Sequence, residues 1–446
     1  MAYINREVIR KDKVEIYQRS GESPRWYAKL RIGRKITKRP SLGTTDRYEA
    51  ERIALDLYQE LEFKHGKGLS LSPKRFSKVA ADFLSHYQQK VEMRESLPAN
   101  KQLNLKKYSR NQFEKKSVII NKFLIPFFGN KNIQDINDRD VADYIEHREA
   151  YWCTGDRAQE ESVTYKRNGR TVKRPKRDAE KAPPSYTTIN KDLTALRAIF
   201  TFAKEKRLLS QHEIPSIGNI TKPDGYDDEH ETPSFTDQEM KKLIGAISKK
   251  ATFQQNPKHR LAHKRLAYYI AIMASSGMRT SDAKRITFND CSVFKKGDSE
   301  YFLIDVGSKG KRRELVPLPQ CRVFIEKLKN HHQKNAKEFG WEYSDDMYVF
   351  SNERGKRINS FAKALDGILA ECGLLYTKDG RKRSSRSFRS FYITTALTQG
   401  NMTIEQLAGN VGNSPDVIWQ HYNRMKSKHI PEKFQFNSIF HGLFDS

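Results

Sequence analysis

Cysteine is scarce and solitary in this chain: among 446 residues there are four, Cys153, Cys291, Cys321 and Cys372, with no CxxC pair. That distribution argues against a disulfide framework and against a structural zinc site. Long apolar runs are missing as well. The longest mostly apolar stretch, Leu266 to Met278, falls well short of the ~20 residues a membrane span needs. The opening MAYINREVIRKDKVE is too polar for a signal peptide, so a reduced, cytoplasmic setting is the expectation. No internal repeat and no low-complexity tract is found. Acidic charge is the remaining deficit, with 54 Asp plus Glu against 82 Lys plus Arg and a formal net charge of +28. A surplus of this size favours a polyanionic partner, because each neutralised phosphate releases condensed counterions. Nucleic acid is the leading candidate, and an anionic membrane surface comes second. A basic soluble protein with no such partner would show the same balance.

What is present is enough for sizeable cores: hydrophobic residues make up 37%, with 24 Phe and 20 Tyr, and the length suits two or three domains. Residues 1–70 read as a small β-rich module, a three-stranded sheet plus a helix. In WYAKLRI, Trp26, Ala28, Leu30 and Ile32 alternate with Tyr27, Lys29 and Arg31, the period of a half-buried strand. Asp46 and Glu49 are spaced as a capping box for a helix with Ala50, Ile53, Ala54, Leu57 and Leu61 on one face. The strands' polar face carries Lys29, Arg31, Lys35, Lys38 and Arg39, which could equally be a solvated basic surface.

Residues 75–210 read as helical. Phe76, Val79, Ala80, Phe83, Leu84 and Tyr87 form one stripe; 113–128 and 141–148 give two more helical stretches; and 188–207 gives a fourth, with Ile189, Leu193, Leu196, Phe200 and Ala203 inward. Between the third and fourth lies a basic insert, 154–182, containing TYKRNGRTVKRPKR and readable as a hairpin or loop. Residues 211–233 are rich in Pro, Gly and Asp without periodicity and read as a linker. Thr236 and Glu239 make another capping box, opening a mostly helical region, 234–446, that holds a strand pair in YFLIDVG and ELVPL.

Cutting DNA without a metal requires a nucleophile, fixed positive groups around the scissile phosphate, and an acid for the leaving oxygen. Arginine suits the second task through its forked, permanently charged donors. Lysine suits the third, because its pKa can fall beside other cations. Tyrosine serves as nucleophile where positive surroundings stabilise its phenolate. Four segments place such residues in order. ASSGMRTSDAKRIT offers Arg279 after a glycine turn, with Asp282 close by. SKGKRRELVPL offers Lys309, and SSRSFRSFYITTAL offers Arg386 and Arg389. LAGNVGNSPDVIWQHY runs from Asn413 to Tyr422, nine residues on.

Taken together these segments resemble the boxes of the tyrosine recombinases, the integrase family of phages and genomic islands. The resemblance implies Tyr422 as nucleophile, Arg279 and Arg389 as phosphate-binding arginines, Lys309 as the general acid on a β-turn, and Asp282 as an acidic brace. It places Arg386 where the family has histidine, and Asn413 where it has His or Trp. Arg386 can hold a phosphate but cannot accept a proton, since arginine stays protonated. Asn413 can donate a neutral hydrogen bond only. His421 would point about 100° from Tyr422 around a helix and reads as a surface residue.

The resemblance extends over nearly the whole chain. It implies an arm-type DNA-binding module at 1–70, a SAM-like core-binding domain at 75–210, the linker, and a catalytic domain at 234–446 that is mostly helical with a small antiparallel sheet. It implies a nucleoid-associated recombinase that integrates or excises a mobile element such as a prophage. The chemistry would pass through a 3′-phosphotyrosine with no cofactor, ATP or metal. Partners would be double-stranded attachment sites, a homotetramer on DNA, and a directionality factor or DNA-bending protein. No membrane partner is implied. The tail after Tyr422 would pack on a neighbouring copy. Two alternatives remain: a catalytically decayed, DNA-binding relative, for which Arg386 and Asn413 speak, and a type IB topoisomerase.

Overall fold

The computed structural model describes residues 3–21, 24–98, 105, 107–155, 157–167, 170–176, 181–221, 232–308, 311–399 and 402–422. The chain divides into two compact units, Met1–Tyr226 and Asp227–Ser446. The build is the expected one, mainly helical with small antiparallel sheets.

The first unit opens with strands β1 (Tyr3–Arg10), β2 (Val14–Arg19), β3 (Tyr27–Ile32) and β4 (Ile36–Lys38), paired antiparallel in sequence order. That is one strand more than the sequence suggests, because β1 is mostly exposed and lacks a clean alternation. In β3 the alternation holds residue by residue, with Ala28, Leu30 and Ile32 fully buried. They pack with Val14 and Ile16 against Ala50, Ala54, Tyr58 and Leu61 of α1 (Arg47–Gly66). Half of the expected capping box forms. Asp46 accepts from the Glu49 N–H at 2.7 Å, but the Glu49 carboxylate accepts from the Thr44 hydroxyl rather than from Asp46. The basic face of this sheet surrounds an acid: Glu15 is nearly buried, with Arg6 at 2.7 Å, Lys29 at 3.5 Å and Arg31 at 3.7 Å. Burial raises its pKa, but Arg6 and Lys29 outweigh that and hold the carboxyl below its ordinary value.

The helical part of this unit comprises α2 (Phe76–Ser96), α3 (Arg110–Ile119), α4 (Ile125–Phe128), α5 (Asp138–Ala150) and α6 (Tyr186–Glu205). A π-turn, Ile120–Leu124, joins α3 to α4 just before Pro126, which has no N–H to donate to a regular ladder. The core draws on Phe76 and Val79, on Ile120 and Phe128, and on Leu193, Leu196 and Phe200. Deep in it, Arg148 of α5 pairs with Asp192 of α6 at 2.8 Å, both almost fully buried, and the Tyr144 hydroxyl reaches the same carboxylate at 3.2 Å. The basic insert is a hairpin, β5 (Ser162–Arg167) and β6 (Arg170–Pro175). After α6 the Pro- and Gly-rich segment starts as packed chain. Ile217 is buried on the bundle, and the Asn190 amide holds both the N–H and the C=O of Ile220.

The second unit starts with α7 (Asp237–Phe253), whose capping box between Thr236 and Glu239 is complete. Helix α8 (Pro257–Ser276) lies centrally and touches α7, α10 (Gln320–Phe339) and α12 (Ser385–Gln399). A short helix α9 (Thr280–Ala283) leads to a three-stranded antiparallel sheet, β7 (Cys291–Lys296), β8 (Ser299–Ser308) and β9 (Lys311–Leu315). Ile304, Val306 and Leu315 of this sheet share a core with Leu243, Ile270, Met273, Ile325 and Phe388. Helix α11 (Ala362–Glu371) closes one side, packing on α7. A smaller cluster joins Tyr392, Ile393 and Leu397 of α12 to Leu407 and Val411 of α13 (Ile404–Val411) and to Ile418 of α14 (Pro415–Tyr422). Among the described residues no helix is long and apolar enough to cross a membrane.

Candidate active site

The site is built where α8 stops. Gly277 caps that helix in the left-handed region (φ 60°), and a Cβ there would stand 2.3 Å from the Tyr392 ring. Only glycine meets both demands. The reversal buries Met278 completely and delivers Arg279 as the N-cap of α9. Arg279 is half-buried; it donates to the Gly412 carbonyl and, at 3.1 Å, to the Asn413 side-chain oxygen.

Helix α12 supplies the other two arginines three residues apart, hence on one face. Arg389 is buried and donates to the Gly277 carbonyl at 2.6 Å and the Val411 carbonyl at 2.9 Å. Arg386 is exposed. Helix α13 ends in a Schellman-type turn: Gly412 is left-handed (φ 71°), and the N–H groups of Gly412 and Asn413 both donate to the Ala408 carbonyl, at 2.8 and 3.0 Å. That turn sets Asn413 beside Arg279. The four predicted residues Arg279, Arg386, Arg389 and Asn413 therefore line one cleft of about 300 Å³, together with Ser385 and Val417.

Two predicted residues are not part of that observation. Lys309 lies outside the described residues, between β8 and β9. Tyr422 is the last residue of α14, nine residues beyond Asn413, and its side chain lies outside the description, as does that of His421. The tail after Tyr422 also falls outside it.

Asp282, which the resemblance gives as an acidic brace of the site, is fully enclosed. It accepts from Arg313 at 3.2 Å and has Arg285 at 3.5 Å. Arg313, on β9, also donates to the Asn410 carbonyl at 2.7 Å and lies under Gly412, where a Cβ would come within 2.2 Å of its Nε. Burial pushes its pKa below the ordinary arginine value; Asp282 opposes this, and the nearby charge of Arg279 adds to it. It remains a cation.

Three consecutive carbonyls at the end of α13, on Asn410, Val411 and Gly412, thus accept from Arg313, Arg389 and Arg279. The free carbonyls of a helix C-terminus carry partial negative charge, which makes that end a natural seat for cations. Asn410 ties the same helix to the chain leaving β9, its amide bonding both the N–H and the C=O of Val316, at 2.8 and 3.0 Å.

Sequence reasoning missed Arg313 and Asn410. In SKGKRR nothing separates Arg313 from its neighbour Arg312, which is 76% exposed at its side chain and sits near Asp290 and Asp305. No group of three or more His, Cys, Asp or Glu able to hold a metal occurs among the described residues. All four cysteines are unpaired.

By sequence the chain matches no protein-family model and no curated protein. By structure it is similar to the XerH site-specific recombinase bound to difH substrate in a pre-cleavage complex. That match has 17% identity and a TM-score of 0.51, covering 81% of this chain and 95% of that one. XerH on palindromic difH in a post-cleavage complex matches with 16% identity and a TM-score of 0.53, covering 82% and 98%. The fold is that of the tyrosine recombinases.

Proposed function

We propose that the chain is a site-specific DNA recombinase that cuts and rejoins DNA through a covalent bond to Tyr422 and so integrates or excises a mobile element. The observation that carries this reading is the convergence of Arg279, Arg386, Arg389 and Asn413 in one cleft, from three segments 134 residues apart at their extremes (413 − 279 = 134). Guanidinium forks in a partly enclosed cleft suit a phosphodiester, whose extra negative charge in the transition state they would stabilise.

In the proposed reaction the Tyr422 Oη attacks the scissile phosphorus and the bond to O5′ breaks. Arg279, Arg386 and Arg389 hold the non-bridging oxygens, and Asn413 adds a neutral donor. Lys309 gives a proton to the departing 5′ oxygen. The Tyr422 proton leaves to water or the phosphate, since arginine at 386 cannot take it. Religation is the reverse, with a 5′ hydroxyl of the partner strand attacking the 3′-phosphotyrosine. No ATP is needed, because the phosphotyrosine stores the energy of the broken bond. Residues 1–70 would bind arm-type sites, 75–210 would bind core sites, and 234–446 would carry the chemistry. Four copies would assemble on double-stranded attachment sites, with a directionality or DNA-bending factor biasing the outcome.

The test is a nicked suicide duplex carrying the element's attachment site, incubated with EDTA and either wild-type protein or Tyr422→Phe. A denaturation-resistant protein–DNA adduct with the wild type alone is the expected result. Tight, salt-dependent binding with no adduct would instead identify a decayed, DNA-binding relative, with Arg386 and Asn413 as the altered positions.

A further inference from the structure

The insert in the helical part of the first unit has no role in the chemistry above, and the charge of its two strands is one-sided. Between Ser162 and Pro175 the two strands hold Lys166, Arg167, Arg170, Lys173 and Arg174, with no acidic residue. We propose that this hairpin, β5–β6, is an additional DNA-binding element that lays a two-stranded ribbon against the phosphates of a duplex. The proposal rests on the reading of the chain as a DNA recombinase.

The hairpin is anchored from one end. Val163 is buried, and the Lys176 ammonium donates to the carbonyls of Arg157 at 2.5 Å and Ala158 at 2.9 Å. The same ammonium stands 5.3 Å from the Trp152 ring, and Lys122 stands 4.7 Å from it. Trp152 is itself buried, so two cations share one aromatic anchor. Acids do occur at this end: Arg157 pairs with Glu160 at 3.5 Å, and Glu160 and Glu161 line a hollow with Lys173 and Arg174. Yet among the described residues neither Arg170 nor Lys173 has a carboxylate within ion-pair distance, and both are exposed.

The register leaves the imbalance standing. Across the ladder Lys173 faces Thr164 and Arg174 faces Val163, so no acid stands opposite either base. A polyanion would supply the missing counter-charge. The N-terminal sheet shows the other solution, since Lys29 and Arg31 gather around Glu15. Shape agrees with charge: a two-stranded ribbon fits the major groove, and six residues at ~3.4 Å each give roughly 20 Å of reach. Thr164 and Thr171, both exposed, add hydroxyl donors that phosphates accept.

The experiment uses the full chain and compares wild type with an Arg170→Gln/Lys173→Gln variant. Binding to a labelled random-sequence duplex and to a single-stranded RNA is followed by anisotropy over a salt series. For the duplex, the slope of log K against log salt should become shallower by about 1.8, twice the ~0.9 that each phosphate contact contributes on B-form DNA. Neither residue lines the cleft, so adduct formation on the suicide duplex should fall only in step with duplex binding and recover at saturating protein. An unchanged duplex slope in a wild type that binds DNA overturns the hairpin proposal and leaves the recombinase reading intact. A difference confined to the RNA overturns the choice of partner. Duplex binding with the expected slope change but no adduct from the wild type overturns the recombinase reading while the hairpin stands. A wild type that binds no duplex overturns both.

Discussion

Arg383 and Arg279 are both basic side chains of the second unit, and the fold treats them in opposite ways. Arg383 is buried and pairs with Glu239 at 2.8 Å, while it also donates to the carbonyls of Ser234 and Leu374 at 3.0 Å each. Its charge is cancelled in place, by the same glutamate that completes the capping box of α7. Arg148 and Asp192 repeat that solution in the helical bundle of the first unit. Arg279 is held by a carbonyl and an amide oxygen, which orient it without cancelling its charge. Arg386 lines the same cleft and makes no ion pair among the described residues. A guanidinium matched by a carboxylate holds the fold together. One matched by dipoles remains ready for an anion, because only a charged ligand completes its neutralisation.

This contrast can be tested by changing each type of arginine in turn. The largest effect should come from the cancelled class. Asp192→Ala leaves Arg148 buried without its counter-charge and should cost about 3–5 kcal/mol of unfolding free energy in a denaturant titration. An effect below about 1 kcal/mol, the scale of an exposed pair, would remove the distinction between the classes. Arg279→Ala should do the reverse, leaving the melting temperature nearly unchanged while adduct formation on the suicide duplex falls by roughly 10²–10³-fold. A large loss of stability there would mean that Arg279 too is a structural group.

A smaller effect is expected from Gly412→Ala. It places a side chain in the left-handed region against Arg313 and should cost about 1–2 kcal/mol, with adduct formation falling further than stability. Equal loss of both would show that the carbonyl seat only stabilises the fold.

An effect of another kind, on the pH dependence of stability, concerns a base with cationic neighbours. Burial, His332, Lys264, Arg265 and Lys334 all push His331 down, to about 4. Its unfolded value is near 6.5, so between those two values the unfolded chain binds a proton that the folded chain does not. Stability should therefore fall as pH drops from about 6.5 to about 4 and level off below. His331→Gln should flatten that part of a stability-versus-pH curve, and an unaltered curve would show that the residue titrates normally.

Much of the fold was legible because it depends on local pattern. The alternation in WYAKLRI predicts the buried side of β3 at Ala28, Leu30 and Ile32, with Trp26 buried just ahead of the strand. The Thr236–Glu239 spacing predicts the start of α7, and the glycine in SSGMRT predicts the reversal ahead of Arg279. Strand β1 was not legible, since an exposed edge strand needs no hydrophobic alternation. For the site, Arg279, Arg386, Arg389 and Asn413 could be picked out by order and spacing, and they do line one cleft. Arg313 could not be, because whether an arginine is buried depends on which carbonyls and carboxylates the tertiary fold brings to it. A run such as SKGKRR carries no trace of that. The same holds for RKRSSR, where Arg383 is buried and Arg386 is exposed.

The row of carbonyls at the end of α13 has an evolutionary consequence. Every amino acid carries the same main-chain oxygen, so a grip through that atom is indifferent to which side chain stands at Val411, whereas Gly412 is fixed by its left-handed turn and by Arg313 beside it. Arginines anchored this way can keep their positions while the surrounding letters drift. A chain built like this can lose its recognisable text and keep its geometry.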